Sequence, residues 1–322
     1  MAEKIVALLG GDKREIEVAK MLAGEFRLRC FGLPRNLLPC DQRNICCCAS
    51  VAEALSGAQA VLLPMAGVRE NGLLYSPLVG DVAVGPDEFS LLKAGTPVLV
   101  GVASAYLSGM CRDLSLPLFE VAEQDLVAIP NAVPTAEGAL EIIMRETEVT
   151  VSGLKALVLG FGRVGEALCL RLRALGAEVL VVNRGERRRQ LARSHGFALC
   201  GWADLPTALA ECDVVVNTVP TAVLDKRLLR RLNSGCLVVD LASGAGGTDF
   251  VAAGELGIRA IHAISLPGKA APLSAGRILG RVYPRLLATI CGWDDDGKDK
   301  KDKKYEKSEN TEDNITEKAV RI

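Results

Sequence analysis

Three glycines, Gly160, Gly162 and Gly165, form a G-x-G-x-x-G pattern that could hold the phosphates of a dinucleotide. The pattern follows an apolar run at residues 154–159 and precedes a helical pattern at residues 166–175. A glycine turn between a strand and a helix lets a pyrophosphate approach the backbone, and the positive end of the helix attracts its charge. The sequence therefore predicts a dinucleotide-binding domain. The turn residues expected to contact the cofactor are Gly160, Phe161, Gly162, Arg163, Val164 and Gly165.

The end of the next predicted strand, residues 177–182, discriminates between two cofactors. NAD enzymes usually carry Asp or Glu there, bonded to the ribose 2′-hydroxyl, whereas this chain has Asn183 and Arg184. A carboxylate would repel a 2′-phosphate, and a guanidinium can pair with it. We therefore expect NADP rather than NAD, with Arg184 as the main determinant. The alternative is that Arg184 and the arginines at 187–189 are only the solvated start of a helix.

Three further strand ends are expected to face the nicotinamide half of the cofactor. A run of valines at 214–216 is typical of the fourth Rossmann strand, and it is followed by Asn217, Thr218 and Pro220. A fifth strand at 237–241 leads into a glycine-rich loop that contains Ser243. A sixth strand at 258–264 contains His262, and the loop predicted at 265–272 presents Lys269.

Composition limits the class of protein. A chain of 322 residues suggests about two domains, and 49% hydrophobic with only 4% aromatic residues suits parallel sheets buried on both faces. A net charge of −1 excludes a general affinity for nucleic acid. We expect no membrane-spanning run, and the charged, interrupted start of the chain does not resemble a signal peptide.

The alternation of predicted strands and helices defines the fold expected. It is an α/β protein of two doubly wound Rossmann-like domains with a cleft between them and a disordered charged tail. The expected boundaries are an N-terminal substrate domain at 1–130, a connecting helix at 131–149 and a cofactor domain at 150–273. A helix at 274–290 is expected to return to the first domain. Residues 294–322 carry mixed charge and few apolar residues, so we expect them to be disordered.

The chain has 11 cysteines, and none forms a C-x-x-C pair. Most lie in apolar patterns, so we interpret them as small buried side chains in a reducing cytoplasm. Cys46, Cys47 and Cys48 are adjacent, and neighbours on a strand point to opposite faces. The three therefore cannot converge on one metal ion, and we expect no metal site.

Two segments outside the glycine turn could contact a substrate. Arg69 follows a predicted strand that ends at the carboxyl edge of its sheet, where it could hold an anion or simply be a solvated loop residue. Residues 128–139 are predicted as a loop followed by a helix and contain Asn131, Thr135 and Glu137. The alternative for Thr135 and Glu137 is helix capping and compensation of the helix dipole.

Several phrases of the sequence together resemble the family of dipicolinate synthase A subunits. They are NAVPTAEGA at 131–139, LVLGFGRVGEAL at 157–168, DLASGAGGTDF at 240–250 and SLPGKAAPLSAG at 265–276. The resemblance covers about residues 3–290. It departs from the family at Ala245, where the family usually has proline, and at Leu273 and Ser274, where it usually has Lys-Thr.

The resemblance implies an activity, a partner and a location. The activity is NADP-dependent dehydrogenation of dihydrodipicolinate, derived from 4-hydroxy-tetrahydrodipicolinate of the lysine pathway, to dipicolinate during sporulation. The implied partner is the flavoprotein-like B subunit of dipicolinate synthase, and the implied location is the cytoplasm of the mother cell of a spore-forming bacterium. A homo-oligomer is also expected.

The implied substrate is a ring with two carboxylates, which sets the roles expected of the site residues. Lys269 remains the cation of its loop and should bind a carboxylate, with help from Arg69, Ser243 and the Asn131, Thr135 and Glu137 segment. The proton acceptor is His262, Lys269 or water, although a histidine inside a strand is also typical of a structural role. The rival functions are another NADP-dependent imino-acid or hydroxyacid oxidoreductase and a non-catalytic cofactor-binding protein.

Overall fold

The computed structural model describes residues 3–40 and 44–293, so the expected disordered tail at 294–322 lies outside the described residues. The chain divides into two compact units. The described part of unit 1 comprises residues 3–127, with the gap at 41–43, together with 272–293, and unit 2 comprises residues 128–271.

Unit 1 contains a six-stranded parallel sheet in the order β3-β2-β1-β4-β7-β8. Its strands are β1 (Ile5–Leu9), β2 (Arg27–Phe31), β3 (Ile45–Cys47), β4 (Ala60–Leu62), β7 (Val98–Val100) and β8 (Leu118–Glu120). A small antiparallel hairpin is formed by β5 (Leu73–Leu74) and β6 (Val82–Ala83). The helices are α1 (Lys13–Leu22), α2 (Val51–Leu55), α3 (Pro86–Phe89), α4 (Ala105–Asp113) and α12 (Pro272–Cys291).

The C-terminal helix α12 packs closely on α1, and two glycines make this approach possible. A methyl group on Gly276 would lie 2.6 Å from the Arg14 carbonyl oxygen, and one on Gly280 would lie 2.5 Å from the Met21 sulfur. Backbone and side chain of α1 therefore occupy the space that larger residues would need.

Unit 2 contains a second six-stranded parallel sheet in the order β11-β10-β9-β12-β13-β14. Its strands are β9 (Lys155–Leu159), β10 (Glu178–Val182), β11 (Ala198–Cys200), β12 (Val214–Asn217), β13 (Leu237–Asp240) and β14 (Arg259–His262). The helices are α6 (Arg163–Ala174), α7 (Glu186–Ser194), α8 (Leu205–Glu211), α9 (Lys226–Leu229), α10 (Phe250–Glu255) and α11 (Leu266–Ala270). The prediction of an α/β protein with two Rossmann-like parallel-sheet domains is confirmed.

Each sheet has a hydrophobic core on both faces, as parallel sheets require. In β9, Ala156 and Val158 belong to one core, whereas Leu157 and Leu159 belong to the core on the opposite face. The sheet of unit 1 is likewise buried on both sides. Alternate residues of each strand are therefore buried in the two opposite cores. The candidate functional groups lie at the ends of the strands.

Helix α5 (Asp125–Glu146) starts earlier than the helix predicted at 131–149, and it contains the segment predicted as a loop. Pro130 and Pro134 lie inside it, although each proline removes a helical hydrogen bond. Ala136, Ala139 and Ile143 of this helix are completely buried in the core of unit 2. Burial of this face therefore outweighs the lost backbone bonds.

By length and composition alone, α5 could cross a membrane, contrary to the expectation that no run qualifies. Half of its apolar window is buried inside the protein, which is common for the core helix of a globular domain.

Two other local expectations need correction. Residues 265–272 are not a loop, because Leu266–Ala270 form helix α11, whose first turn accommodates Pro267. The cysteines are not all free, because Cys40 and Cys47 form a disulfide with a Cα–Cα distance of 6.2 Å.

Candidate functional site

The glycine turn after β9 has the geometry that a phosphate-binding turn needs. Gly160 has a φ of +96°, and a side chain there would collide with the Thr218 hydroxyl. A side chain on Gly165 would collide with the Gly160 carbonyl oxygen. A Cβ on Gly162, by contrast, would meet no atom within 4 Å. The turn is therefore closely packed behind and open in front, at the N-terminus of α6.

This open position fits the pyrophosphate of a dinucleotide. Gly162 is the N-cap of the 12-residue helix α6, whose first-turn N–H groups and dipole attract an anion. Arg163 and Val164 are half-buried in that first turn. Phe161 differs from the expectation of a ligand contact, because its side chain is fully buried and packs on Phe197 with 5.7 Å between ring centroids. Only its backbone belongs to the turn.

The end of β10 is linked directly to this turn. Asn183 Oδ1 accepts a hydrogen bond from the Phe161 N–H at 3.3 Å, and its Nδ2 donates to the Gly185 carbonyl at 3.1 Å. Arg184 is exposed, and its guanidinium lies over the Trp202 ring at 4.7 Å from the centroid. The buried Nε1 of Trp202 has no hydrogen-bond partner among the described residues.

Carboxylates near this strand end are already paired. Glu186 forms ion pairs with Arg189 at 3.6 Å and with Arg193 at 3.2 Å. Glu166 contacts His195 Nε2 at 3.3 Å and Arg188 at 3.9 Å. These two carboxylates are therefore engaged by other side chains rather than by Arg184.

Asn217 and Thr218, at the end of β12, are committed to internal hydrogen bonds. Asn217 is completely buried, and its Nδ2 donates to the Val219 carbonyl and to Asp240 Oδ1, both at 3.0 Å. Its side chain therefore positions the strand end, which corrects the expected direct contact with the cofactor. Thr218 Oγ1 donates to the Leu159 carbonyl at 2.9 Å and so joins β12 to the glycine turn. Pro220 is exposed.

A buried carboxylate, which the sequence did not lead us to expect as a site residue, organises the glycine-rich loop after β13. Asp240 is completely buried and accepts four hydrogen bonds. The donors are Asn217 Nδ2 at 3.0 Å, Ala242 N–H at 3.0 Å, Gly247 N–H at 2.8 Å and the Thr248 hydroxyl at 2.6 Å. A buried carboxylate needs such partners, and here they shape the loop that carries exposed Ser243. The feature of the sequence that could have identified Asp240 is its position at the end of a valine-rich strand, directly before the glycine-rich loop.

His262 ends β14, next to β13, and is paired in register with Asp240. Its Nε2 lies 3.2 Å from the Ala242 carbonyl oxygen, and its ring lies 5.2 Å from the Phe250 ring centroid. A carbonyl can only accept, so Nε2 is the donor of this bond. His262 is therefore anchored through Nε2.

The segment with Asn131, Thr135 and Glu137 lies on α5 rather than in a loop. Thr135 Oγ1 donates to the Asn131 carbonyl at 2.7 Å, and the buried Asn131 Oδ1 has no hydrogen-bond partner among the described residues. Glu137 forms an ion pair with Arg171 at 3.4 Å. Asn131 is therefore the member of this segment with an unused polar atom.

Helix α11, which carries Lys269, packs against α5. A methyl group on Gly138 would lie 3.0 Å from the Ala270 Cβ and 3.1 Å from the Leu266 Cβ, so only glycine permits this approach without displacement. Lys269 is exposed, and no carboxylate within the described ranges lies at ion-pair distance from it. Unit 2 thus places an available cation on a helix beside the Asn131 segment.

Arg69 belongs to unit 1, where it forms an ion pair with Asp81 at 2.8 Å while its side chain stays 52% exposed. The Asp81 carboxylate therefore neutralises part of the Arg69 charge.

The corresponding turn of unit 1, at Gly10 and Gly11, has a different geometry from the turn of unit 2. A side chain on Gly11 would collide with the Glu15 carboxylate, and the N-cap position that Gly162 holds in unit 2 is Asp12 in unit 1. Glu15 accepts hydrogen bonds from the Asp12 N–H at 2.8 Å and the Met65 N–H at 3.3 Å. The turn of unit 1 is therefore lined by the protein's own carboxylates, Asp12 and Glu15, where the turn of unit 2 has glycines.

Glu15 sits in a buried charged cluster that the D-x-x-E capping pattern of residues 12–15 could have revealed. Arg14 is only 6% exposed, and it contacts Asp12 Oδ1 through Nε at 3.0 Å and Asp12 Oδ2 through Nη2 at 2.9 Å. Burial raises the pKa of Glu15, and the Arg14 charge offsets this only in part. Burial also raises the pKa of Tyr283, which faces Glu15 from α12.

Comparison with known proteins agrees with this division of the chain. Residues 5–122 match the model of the N-terminal domain of the dipicolinate synthase A subunit. Residues 137–246 match the NAD-binding domain of D-isomer specific 2-hydroxyacid dehydrogenases. The second match contains the glycine turn, the end of β10 and the end of β12.

Two dipicolinate synthase A subunits are similar over nearly their whole length. The crystal structure of the one from Bacillus halodurans has a TM-score of 0.84 and 30% identity, covering 88% of this chain and 98% of that one. The chain belongs to the family of dipicolinate synthase A subunits. The one from Bacillus subtilis is 29% identical over 286 residues, 88% of this chain and 96% of its own length.

More distant structures share the fold of this family member. The apo-structure of D-lactate dehydrogenase from Escherichia coli has a TM-score of 0.61 at 15% identity, covering 89% of this chain and 97% of that one. Taken with the two matching domains, the dipicolinate synthase relatives make this chain an NAD(P)-dependent oxidoreductase. Two features suit a nicotinamide dinucleotide. The turn at Gly162 is open, and the indole N–H of Trp202 has no hydrogen-bond partner among the described residues.

Proposed function

We propose that this protein oxidises dihydrodipicolinate, formed from 4-hydroxy-tetrahydrodipicolinate, to dipicolinate, with NADP as hydride acceptor, during sporulation. The observation that carries this proposal is 30% identity to the Bacillus halodurans protein over 98% of that chain. Similarity in the cofactor domain alone would support only the binding of a cofactor. Similarity through both units also covers the residues that recognise the substrate.

The reaction removes one hydride and one proton from the dihydropyridine ring, and both carboxylates remain in the product. The bound nicotinamide supplies the acceptor for the hydride, which is chemistry of the cofactor rather than the chain. The protein's tasks are to bind the carboxylates, orient the ring and accept the proton. Correct positioning alone can lower a barrier by about 7–11 kcal/mol in the best cases.

Residues of unit 2 suit these tasks. Lys269 is an exposed, unpaired cation among the described residues and can bind one carboxylate. Ser243, on the loop shaped by Asp240, and the unsatisfied Asn131 amide offer further hydrogen bonds. Nδ1 of His262 is the proposed proton acceptor, because Nε2 is held by the Ala242 carbonyl. Thr135 then holds the Asn131 carbonyl, Glu137 pairs with Arg171, and Arg69 is a second candidate anion binder in unit 1.

NADP is the form of the cofactor that the end of β10 favours. Arg184 occupies the position where a carboxylate would select NAD, and the neighbouring Glu186 is engaged by Arg189 and Arg193. The Trp202 ring lies under the Arg184 guanidinium, whose N–H groups can pair with a 2′-phosphate.

The partner, oligomeric state and location belong to the same proposal. We assign the chain to the cytoplasm of the mother cell of a spore-forming bacterium. There it forms a homo-oligomer and works with the flavoprotein-like B subunit of dipicolinate synthase. The support is the resemblance of its sequence phrases to the family.

The first experiment mixes the purified chain with NADP and freshly generated dihydrodipicolinate, with and without the flavoprotein-like partner. NADPH is followed by absorbance and dipicolinate is measured separately. Equal amounts of both products from this chain alone support the proposal. If both require the partner, the chemistry depends on the complex. Dipicolinate without NADPH would contradict the hydride role.

A 2-hydroxyacid oxidoreductase is the second candidate, because the cofactor domain matches that dehydrogenase class. Such enzymes pair a histidine or arginine with a carboxylate at the reacting carbon. His262 contacts a carbonyl oxygen instead, and His195 pairs with Glu166 between α6 and α7. Reduction of a panel of 2-oxo acids with NADPH tests this candidate, and turnover that exceeds that of dihydrodipicolinate would favour it.

A further inference from the structure

One edge of the unit 1 sheet brings two cysteines and a glutamate together. The Sγ atoms of Cys46 and Cys48 and a carboxylate oxygen of Glu53 all lie within 4.8 Å of one another. We propose that these three side chains bind one thiophilic divalent cation of the Zn²⁺ type, with water as the fourth ligand. The candidate site is independent of the cofactor domain and of the proposed oxidation.

Strand geometry explains why two of the three adjacent cysteines can share a metal. Neighbouring residues on a strand point to opposite faces, but residues two apart point to the same face. Cys46 in the edge strand β3 and Cys48, the residue directly after it, therefore face one side, and Cys47 faces the other, where it is bonded to Cys40. The expectation of no metal site considered all three together and overlooked the pair.

The third ligand is delivered by the start of α2. Ser50 Oγ accepts a hydrogen bond from the Glu53 N–H at 3.1 Å, and Glu53 Oε2 accepts one from the Ala49 N–H at 2.7 Å. This reciprocal cap bends the Glu53 carboxylate back over the end of β3. Oε1 has no hydrogen bond to any described residue, so it can serve as a ligand.

Ligand type and charge point to a thiophilic cation. Thiolates select zinc-like ions, whereas Mg²⁺ and Ca²⁺ prefer sites made of oxygen atoms. Two thiolates, one carboxylate and a divalent ion leave one negative charge. Arg29 lies opposite Cys46 in the sheet register and supplies a compensating positive charge.

The site is reachable and needs only a small adjustment. Cys46 and Cys48 are half-buried and Glu53 is exposed, so an ion can enter from solvent. A zinc–sulfur distance of ~2.3 Å requires the ligand atoms to approach one another by about 1 Å, which rotation of the side chains can supply.

The test is a Cd²⁺ titration of the full chain in a C40S/C47S background, reduced with a phosphine and freed of metal ions. This background removes the thiols on the opposite face of β3. We expect one Cd²⁺ per chain, seen as the ultraviolet absorption of cadmium–thiolate bonds, and competition by Zn²⁺ but not by Mg²⁺. Binding that is equally strong for Mg²⁺, or absence of the absorption band, would overturn the proposal.

Three further variants identify the ligands. Cys46→Ser and Cys48→Ser should each remove at least half of the absorption, because each removes one of two thiolates and also weakens binding. Glu53→Gln should keep the absorption and weaken the affinity about tenfold. Cys291→Ser, which removes another half-buried thiol, should change neither. Loss of the band in Cys291→Ser, or full retention in Cys46→Ser, would place the ion elsewhere. The unfolding temperature checks the fold of each variant, and Glu53→Gln remains informative if a cysteine variant fails to fold.

Discussion

The Arg184 guanidinium lies over the Trp202 indole, with 4.7 Å between its Cζ and the ring centroid. An aromatic contact of this kind engages one side of a guanidinium and leaves N–H groups that can meet another partner. An arginine held in this way loses less side-chain entropy when a ligand binds. The pair therefore offers N–H groups to a phosphate at the end of β10.

Replacing Arg184 should change the cofactor preference. In Arg184→Asp the new carboxylate would repel a 2′-phosphate and could accept a hydrogen bond from a 2′-hydroxyl. We expect NADP affinity to fall by about tenfold to a hundredfold, the range for a lost charged hydrogen bond, while NAD affinity rises or stays constant. Calorimetric or fluorescence titration with both cofactors measures the ratio.

The matched control is Arg187→Asp, which makes the same charge change on an exposed residue of α7. It should lower NADP affinity by much less than Arg184→Asp does. Equal losses in the two variants would show a general effect of charge and would remove Arg184 as the determinant.

Gly162→Asp should abolish cofactor binding without damaging the fold. A Cβ at Gly162 meets no atom within 4 Å, so the side chain has room, but its carboxylate would enter the space assigned to the pyrophosphate. Gly254→Asp is the control, because Gly254 is exposed on α10 with equally open surroundings. An unchanged NADP titration in a folded Gly162→Asp protein would show that the turn is not the phosphate site.

Asp240→Asn should loosen the loop after β13. Four donors converge on the Asp240 carboxylate, and an amide would turn its own N–H groups toward some of them. An unsatisfied buried group costs about 1–3 kcal/mol, which corresponds to a drop in melting temperature of roughly 2–12 °C in a domain of this size. We also expect a lower kcat/KM, since the loop carries Ser243. An unchanged melting temperature would mean that the loop does not depend on this carboxylate.

The cofactor turn was predictable because its function requires a local pattern. Gly160, Gly162 and Gly165 are close together in sequence, and each has a backbone reason to be glycine. The roles of Phe161 and Asn217 were not predictable, because their burial depends on residues far along the chain. Sequence alone does not reveal that Asn217 meets Asp240, its partner across the sheet.

Local rules also failed where packing was stronger. Pro130 predicts a break, yet α5 continues through it because the helix face around Ala136 is completely buried. Pairing of Cys40 with Cys47 likewise depends on how the chain returns to β3. Lys269 was placed in a loop, whereas it lies in the short helix α11, whose first turn accommodates Pro267.

Glu15 should make the stability of unit 1 depend on pH. Its carboxylate is buried with Asp12, Arg14, Tyr75 and Tyr283 nearby, and burial raises its pKa from 4.5 to about 7. A raised pKa means that the folded protein binds this proton more tightly than the unfolded chain does. The contribution to stability is therefore complete below about pH 4.5 and is lost as the pH rises through about 7.

Glu15→Gln should remove this dependence, because an amide of the same shape does not titrate in the range. We expect the stability difference between variant and wild type to shift in favour of the variant as the pH rises from about 4.5 to about 7, by at most about 3 kcal/mol. Denaturant unfolding of both proteins across this range measures it, with exposed Glu25→Gln as the control. If the difference between Glu15→Gln and wild type stays constant with pH, the Glu15 carboxylate titrates in the folded protein as it does in the unfolded chain, and its charge is satisfied by Arg14 and the Asp12 and Met65 amides.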